Sequence, residues 1–215
     1  MTIFFAILYT IRFFYVLLHF ILLIMQTDII SCIKASIAAK EQILLDKTLM
    51  QNIEIAAAAI INACRNEQKV LFCGNGGSAA DAQHLAAELS GRFYLNRRPL
   101  YAEALHVNTS YITAAANDYG YNAVYARMIE ACGKKNDILV AISTSGNSEN
   151  IIAAIQKAHE TGMYVIGMTG RDGGKMKSMC HCLLNVPSQD TPRIQEMHIT
   201  IGHILCYLTE KNLFA

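Results

Sequence analysis

From Thr27 to about Arg65 apolar positions recur at helical spacing, and Ile55 to Ile61 is rich in Ala and Ile, so the pattern predicts two helices ahead of any strand. Beyond Lys69 the rhythm changes. A short apolar run, Lys69 to Cys73, is followed by a glycine turn, a helix from about Ser78 to Gly91 and a strand-like stretch near Tyr101 to Val107. The alternation continues with a helix near Tyr121 to Cys132, a buried-strand run at Asp137 to Ser143, a helix from Ser148 to Thr161, strands at Met163 to Met168 and His181 to Val186, and a last helix from about Pro192 to Lys211. Five strands alternating with helices predict an α/β fold: a parallel five-stranded sheet covered by helices on both faces, with right-handed crossovers and helices in front. Thr169 to Lys175, with three glycines, reads as a loop.

The N-terminus departs from this pattern. Ile3 to Met25 is almost continuously apolar, broken mainly by Arg12 and His19, and at about 20 residues is long enough to span a bilayer. It lacks the charged start and small-residue cleavage site of a signal peptide. Arg12 at mid-membrane would cost roughly 2.5–3.5 kcal/mol. We therefore expect residues 1–24 to be an extension dispensable to the fold, residues 25–66 to form the N-terminal helices and residues 67–215 the α/β domain, with a membrane anchor as the alternative for the first segment.

A length of 215 residues suits one α/β domain behind those helices. Net charge is +1 with 16% charged residues and no run of Lys or Arg long enough to make an electrostatic stripe, which argues against a nucleic-acid partner. The seven cysteines are odd in number, contain no CxxC pair and fall largely within apolar runs, as expected of reduced thiols in the cytoplasm. Cys180 and Cys182 flank His181 and have the chemistry of a soft-metal site, but period-two packing in a strand explains the spacing more simply.

In open α/β sheets ligands gather at the carboxyl ends of the strands. Gly74-Asn75-Gly76-Gly77-Ser78 joins a strand to a helix and lets a ligand approach the backbone, although a tight turn alone has similar needs. Ser143-Thr144-Ser145-Gly146-Asn147-Ser148 places four hydroxyls at a helix start, where free N–H groups and the positive helix end favour an anion. It has neither the P-loop lysine nor dinucleotide spacing, so a phosphomonoester suits it better than a nucleotide; the competing reading is an elaborate N-cap using one serine. His84 and Glu88 are four apart on the intervening helix and share a face, as surface ion pairs do and as acid/base or metal pairs do. Gln195, His198 and His203 on the last helix are further candidates, not distinguished by spacing from packed or solvated residues.

Four segments in order, LFCGNGGSAADAQHLAAELSGRF, ANDYGYN, AISTSGNSENI and TPRIQEMHITIGHI, resemble the SIS-domain phosphoheptose isomerases, and the likeness runs from about Thr27 to Lys211. It implies a flavodoxin-like three-layer SIS domain in a cytoplasmic homotetramer. The implied activity converts sedoheptulose 7-phosphate to D-glycero-D-manno-heptose 7-phosphate through an enediol(ate), the first step towards ADP-heptose and lipopolysaccharide. Phosphate is implied at Ser143, Thr144, Ser145 and Ser148, and the sugar at Asn75, Gly76, Gly77, Glu88, Asn117, Asp118 and Gln195. One zinc per subunit is implied at His84, Glu88, Gln195 and His203, with Glu88 and His203 as the acid/base pair. Eight residues separate Gln195 from His203, about 12 Å of helix rise, so joint ligation of one ion demands a distorted helix or ligands from different subunits. A non-catalytic SIS-domain regulator that binds the replication initiator DnaA shares some of these segments and is the alternative; the presence of both Glu88 and His203 favours the enzyme. A sugar-phosphate-sensing transcription factor would need a DNA-binding module, and no segment supplies one.

Overall fold

In the computed structural model residues 2–215 are described, with side chains from Leu22 onward. Two compact units emerge, residues 1–40 and 41–215. The first is most of helix α1 (Thr2–Leu45), which passes residue 24 without a break, so no structural boundary marks the end of the expected extension. Arg12 and His19, on which the membrane argument turns, lie outside the residues with described side chains. Leu22–Leu45 is a stretch long and apolar enough to cross a membrane, as a signal sequence or a core helix also is.

In the second unit, α2 (Lys47–Arg65) starts at Asp46, whose carboxylate accepts the Leu49 N–H at 2.9 Å. Then follow β1 (Val70–Cys73), α3 (Gly77–Ser90), β2 (Ala102–Ala104), α4 (Thr109–Tyr119), α5 (Val124–Cys132), β3 (Ile138–Ile142), α6 (Glu149–Thr161), β4 (Tyr164–Thr169), β5 (Cys182–Asn185) and α7 (Thr191–Phe214), with short 3-10 turns at Tyr121–Ala123 and Gly174–Ser178. The strands are all parallel in the order β2-β1-β3-β4-β5.

Because both faces are covered, β1 and β3 are buried at every position, and alternate residues face opposite layers. Leu71, Leu139, Ala141 and Val165 pack with Val124, Tyr125, Ile129, Ile151 and Ile155 of α5 and α6. Phe72 and Val140 face Ile60 of α2, Leu85 and Leu89 of α3, and Leu205 and Cys206 of α7. Helix α4 is not apparent in the pattern. Its N-cap Asn108 accepts the Tyr111 N–H at 3.0 Å, but its first turn is hydroxylated and aromatic, and it buries one residue, Ala115, so its apolar period is faint. Cys64, Cys73, Cys182 and Cys206 are buried thiols, and the Cys182 thiol donates to the Asn52 carbonyl. His181 Nδ1 accepts the Val165 N–H, so Cys180, His181 and Cys182 serve packing and pairing at a sheet edge.

His198 is fully buried on α7, its Nε2 3.2 Å from the Thr169 carbonyl oxygen, to which it donates when neutral. Burial pushes it down from 6.5 to about 4, against the opposing pull of that carbonyl. Between those values the unfolded chain binds more protons than the folded one, so this contribution to stability is present above about pH 6.5 and lost as the pH falls towards 4. Acidification over that window should cost up to about 3 kcal/mol through this residue. His198→Gln, which keeps a donor for Thr169, should show a shallower fall in urea-unfolding free energy over the same range; an unchanged slope would place the acid sensitivity elsewhere.

Candidate active site

In this strand order the chain leaves β1 for β2 on one side and returns past it to β3 on the other, so the β1 and β3 loops open side by side at the carboxyl edge. The glycine loop after β1 and the serine loop after β3 are stitched together there. Asn75 and Asn150 exchange amide hydrogen bonds at 2.9 and 2.8 Å, and the Tyr121 hydroxyl donates to Asn75 at 3.3 Å. The buried Tyr125 hydroxyl donates to the Gly74 carbonyl; burial raises this phenol, which keeps its proton and remains a donor.

Ser143 is 4% exposed, and its Oγ lies 3.0 Å from Ser148 Oγ and 3.5 Å from Ser145 Oγ. Ser148 occupies the N-cap position of α6 yet makes no capping hydrogen bond; its hydroxyl meets Ser143 instead, which argues against the simple-cap reading of this loop. Thr144 and Ser145 line an open cleft of about 320 Å³ with Gly170, Arg171 and Thr191. Clustered hydroxyls at the start of a 13-residue helix are a setting for an oxyanion.

The second chemical group lies between α3 and α7. Where a Cβ added at Gly202 would stand, the Leu85 side chain is 2.5 Å away, so α7 approaches α3 closely at a position without a side chain. Beside that contact His203 Nε2 is 3.4 Å from His84 Nε2, across 119 residues of sequence. His84 Nε2 is 3.2 Å from Glu88 Oε1, and the two imidazole rings meet edge-on at 5.0 Å. One donor atom from each of His84, Glu88 and His203 lies within 4.8 Å of the others, and this is the group suited to a metal among the described residues. Two imidazole nitrogens and a carboxylate oxygen form the three-donor set of an open zinc site, so the residues fit such an ion. Asp81, one turn before His84, has a buried Oδ2 with no hydrogen-bond partner, and burial pushes its carboxyl up to about 6, with His84 opposing.

Most of the expected residues thus fall into these two groups, with exceptions. Gln195 stands at the glycine loop: a Cβ on Gly77 would lie 2.3 Å from its Nε2, and along the unbroken helix α7 it is about 12 Å of rise from His203. Asn117 and Asp118 end α4, exposed, and bond to one another at 3.0 Å. His198 belongs to the core. Asn150, Tyr125 and Asp81 escaped the sequence reading, because their roles arise from partners on other elements or from burial that local sequence does not report.

Residues 35–170 match the SIS domain family. The phosphoheptose isomerase of Clostridium acetobutylicum is 52% identical over 191 residues, covering 89% of this chain and 97% of that protein. The one from Aneurinibacillus thermoaerophilus is 48% identical over 190 residues, 88% of this chain and 96% of that protein. The solved phosphoheptose isomerase of Neisseria gonorrhoeae matches with a TM-score of 0.81 and 44% identity, over 87% of this chain and 99% of that one. That of Francisella tularensis gives 0.82 and 40%, over 86% and 97%.

The α3–α7 contact makes a direct prediction. Gly202→Ala forces a methyl into Leu85 and should lower urea-unfolding stability by about 1–3 kcal/mol. Truncating the neighbouring Ile204, 38% exposed, should change it by about 0.5 kcal/mol. Equal effects would mean that the close approach is not what holds the helices.

Proposed function

The chain belongs to the SIS-domain family and, within it, to the phosphoheptose isomerases, and we propose that as an aldose–ketose isomerase it converts sedoheptulose 7-phosphate to D-glycero-D-manno-heptose 7-phosphate. The observation that carries the reading is the meeting of Glu88 and His203, far apart in the sequence, in one cluster between the neighbouring helices α3 and α7, α3 being the helix that the glycine loop opens. The regulator that binds DnaA gains no support: the relatives are named as isomerases.

In this reading the phosphate rests on Ser143, Thr144, Ser145 and Ser148, and the sugar hydroxyls on Asn75, Gly76, Gly77, Asn117, Asp118 and Gln195. The reaction removes a proton from C1 of the ketose and returns one to C2, while the hydroxyl proton on O1 is lost and O2 gains one. Glu88 exchanges the carbon-bound proton. Its Oε1 is turned to His84, which leaves Oε2 for the transfer. His203 moves the proton between the oxygens, a task suited to an imidazole, whose ordinary pKa is about 6.5. His84, Glu88 and His203, with Gln195 as a fourth donor, would hold one zinc ion per subunit, which when bound would supply positive charge to the oxygens on which negative charge develops. Interfacial sites in a homotetramer would bring Gln195 of another copy within reach. A phosphosugar substrate and the buried thiols of Cys64, Cys73, Cys182 and Cys206 favour the cytoplasm.

Glu88→Gln keeps the shape and removes the base. It should lower kcat on sedoheptulose 7-phosphate by at least about 100-fold with an unchanged melting temperature; wild-type turnover would defeat the assignment. Dialysis against a chelator should abolish turnover, and zinc should restore it. Full activity in protein shown to be metal-free would remove zinc from the mechanism.

A further inference from the structure

Glu210 lies on α7 seven residues beyond His203, two turns along on the same face, and is 2% exposed. Its carboxylate accepts the backbone N–H groups of Phe93 (3.2 Å), Tyr94 (2.6 Å) and Leu95 (3.0 Å), and Arg97 Nε at 3.0 Å. The terminal nitrogens of Arg97 donate to the carbonyls of Glu88 (2.9 Å), Leu89 (2.9 Å), Gly91 (3.2 Å) and Arg98 (3.0 Å). One buried ion pair therefore holds the carboxyl end of α3, starting at Glu88 itself, to the helix that carries His203. It also shapes the intervening loop so that the Phe93 ring stands 5.6 Å from the His203 ring, with Tyr94 6.1 Å from Tyr207. Burial alone would raise Glu210, but the three N–H donors and the guanidinium together hold it below the usual carboxylate range, so it stays charged.

A buried ion pair is weak evidence for stability, since apolar residues of like volume often serve as well. What apolar residues lack is direction, and here eight hydrogen bonds aim at one loop and one helix end. We propose that the Arg97–Glu210 pair is a positioning element for the reaction, fixing His203 opposite His84 and Glu88 by tying α3 to α7 and pressing Phe93 on the imidazole. Neither residue touches the reacting atoms. The proposal rests on the isomerase and metal reading above.

The test uses the full chain with Glu210→Gln and, separately, Phe93→Leu, which leaves the ion pair in place. Readouts are melting temperature, kcat and KM on sedoheptulose 7-phosphate, zinc affinity by chelator competition, and the His203 ring resonances of the metal-free protein, which sense the Phe93 ring current. Glu210→Gln should weaken zinc binding by about 10- to 100-fold, as loss of a ligand-orienting partner does, and lower kcat far more than it changes KM. Phe93→Leu should move the His203 resonances and lower kcat and zinc affinity, with a melting temperature near wild type. If Glu210→Gln melts earlier yet keeps kcat and zinc affinity, the pair is structural only and the proposal fails. Should that variant not fold, wild-type kcat and zinc affinity in Phe93→Leu overturn it equally. An inactive wild type would sink the functional reading instead, and the His203 resonances of the metal-free variants would still decide whether the pair positions that ring.

Discussion

Leu85 lies against Gly202 so closely that a methyl group has no room between them, and the chemistry of the molecule depends on that contact. Helices α3 and α7 are parallel neighbours in register: Gly77 meets Gln195 near their starts, Leu85 meets Gly202 midway, and His84 meets His203 beside it. Donor atoms on different helices converge only if the backbones are held to a fraction of an ångström. Close packing at a glycine supplies that where longer side chains would leave slack.

The register also divides labour along the domain. The sheet edge suited to an anion is built from loops and the starts of α3 and α6, where N–H groups and hydroxyls concentrate, with Arg171 lining the same cleft. Buried charges are placed elsewhere. Lys69 and Asp137, 2.6 Å apart, tie the starts of β1 and β3, with Asp137 also accepting the N–H groups of Lys69 and Lys134. Near that opposite edge opens a larger hollow, about 660 Å³, lined by Asn62, Asn66, Asn136, Tyr164 and His181. Size alone thus points away from the chemistry; convergent hydroxyls, imidazoles and a carboxylate point to it.

The sheet was legible because each strand is a local apolar run between turn residues, and the observed strands fall inside the expected ones to within a residue. The serine loop was legible for the same reason, since its hydroxyls are contiguous. Helix α4 was not, because it buries too little apolar surface to leave a period. Local spacing placed His84 beside Glu88, but nothing local brings His203 to them across 119 residues; family likeness suggested that contact and the fold makes it. Asn150, Arg97 and Glu210 read as ordinary polar residues of helix or loop until their partners appear from other elements.

Gln195 shows how geometry sharpens an ambiguous assignment. Likeness alone gives it two duties, sugar contact and metal ligand, and the helix between it and His203 rises about 12 Å over eight residues. Within one chain its amide lies against Gly77 of the glycine loop, so the first duty is open to it there. The second is not, since α7 runs as one helix from Thr191 to Phe214 and His203 faces His84 two turns further on. A side chain of that length cannot close such a gap, so any share of Gln195 in an ion held by His84, Glu88 and His203 requires a second copy of the chain. A sugar contact by this residue would need only the monomer's own glycine loop, whereas metal ligation would depend on assembly.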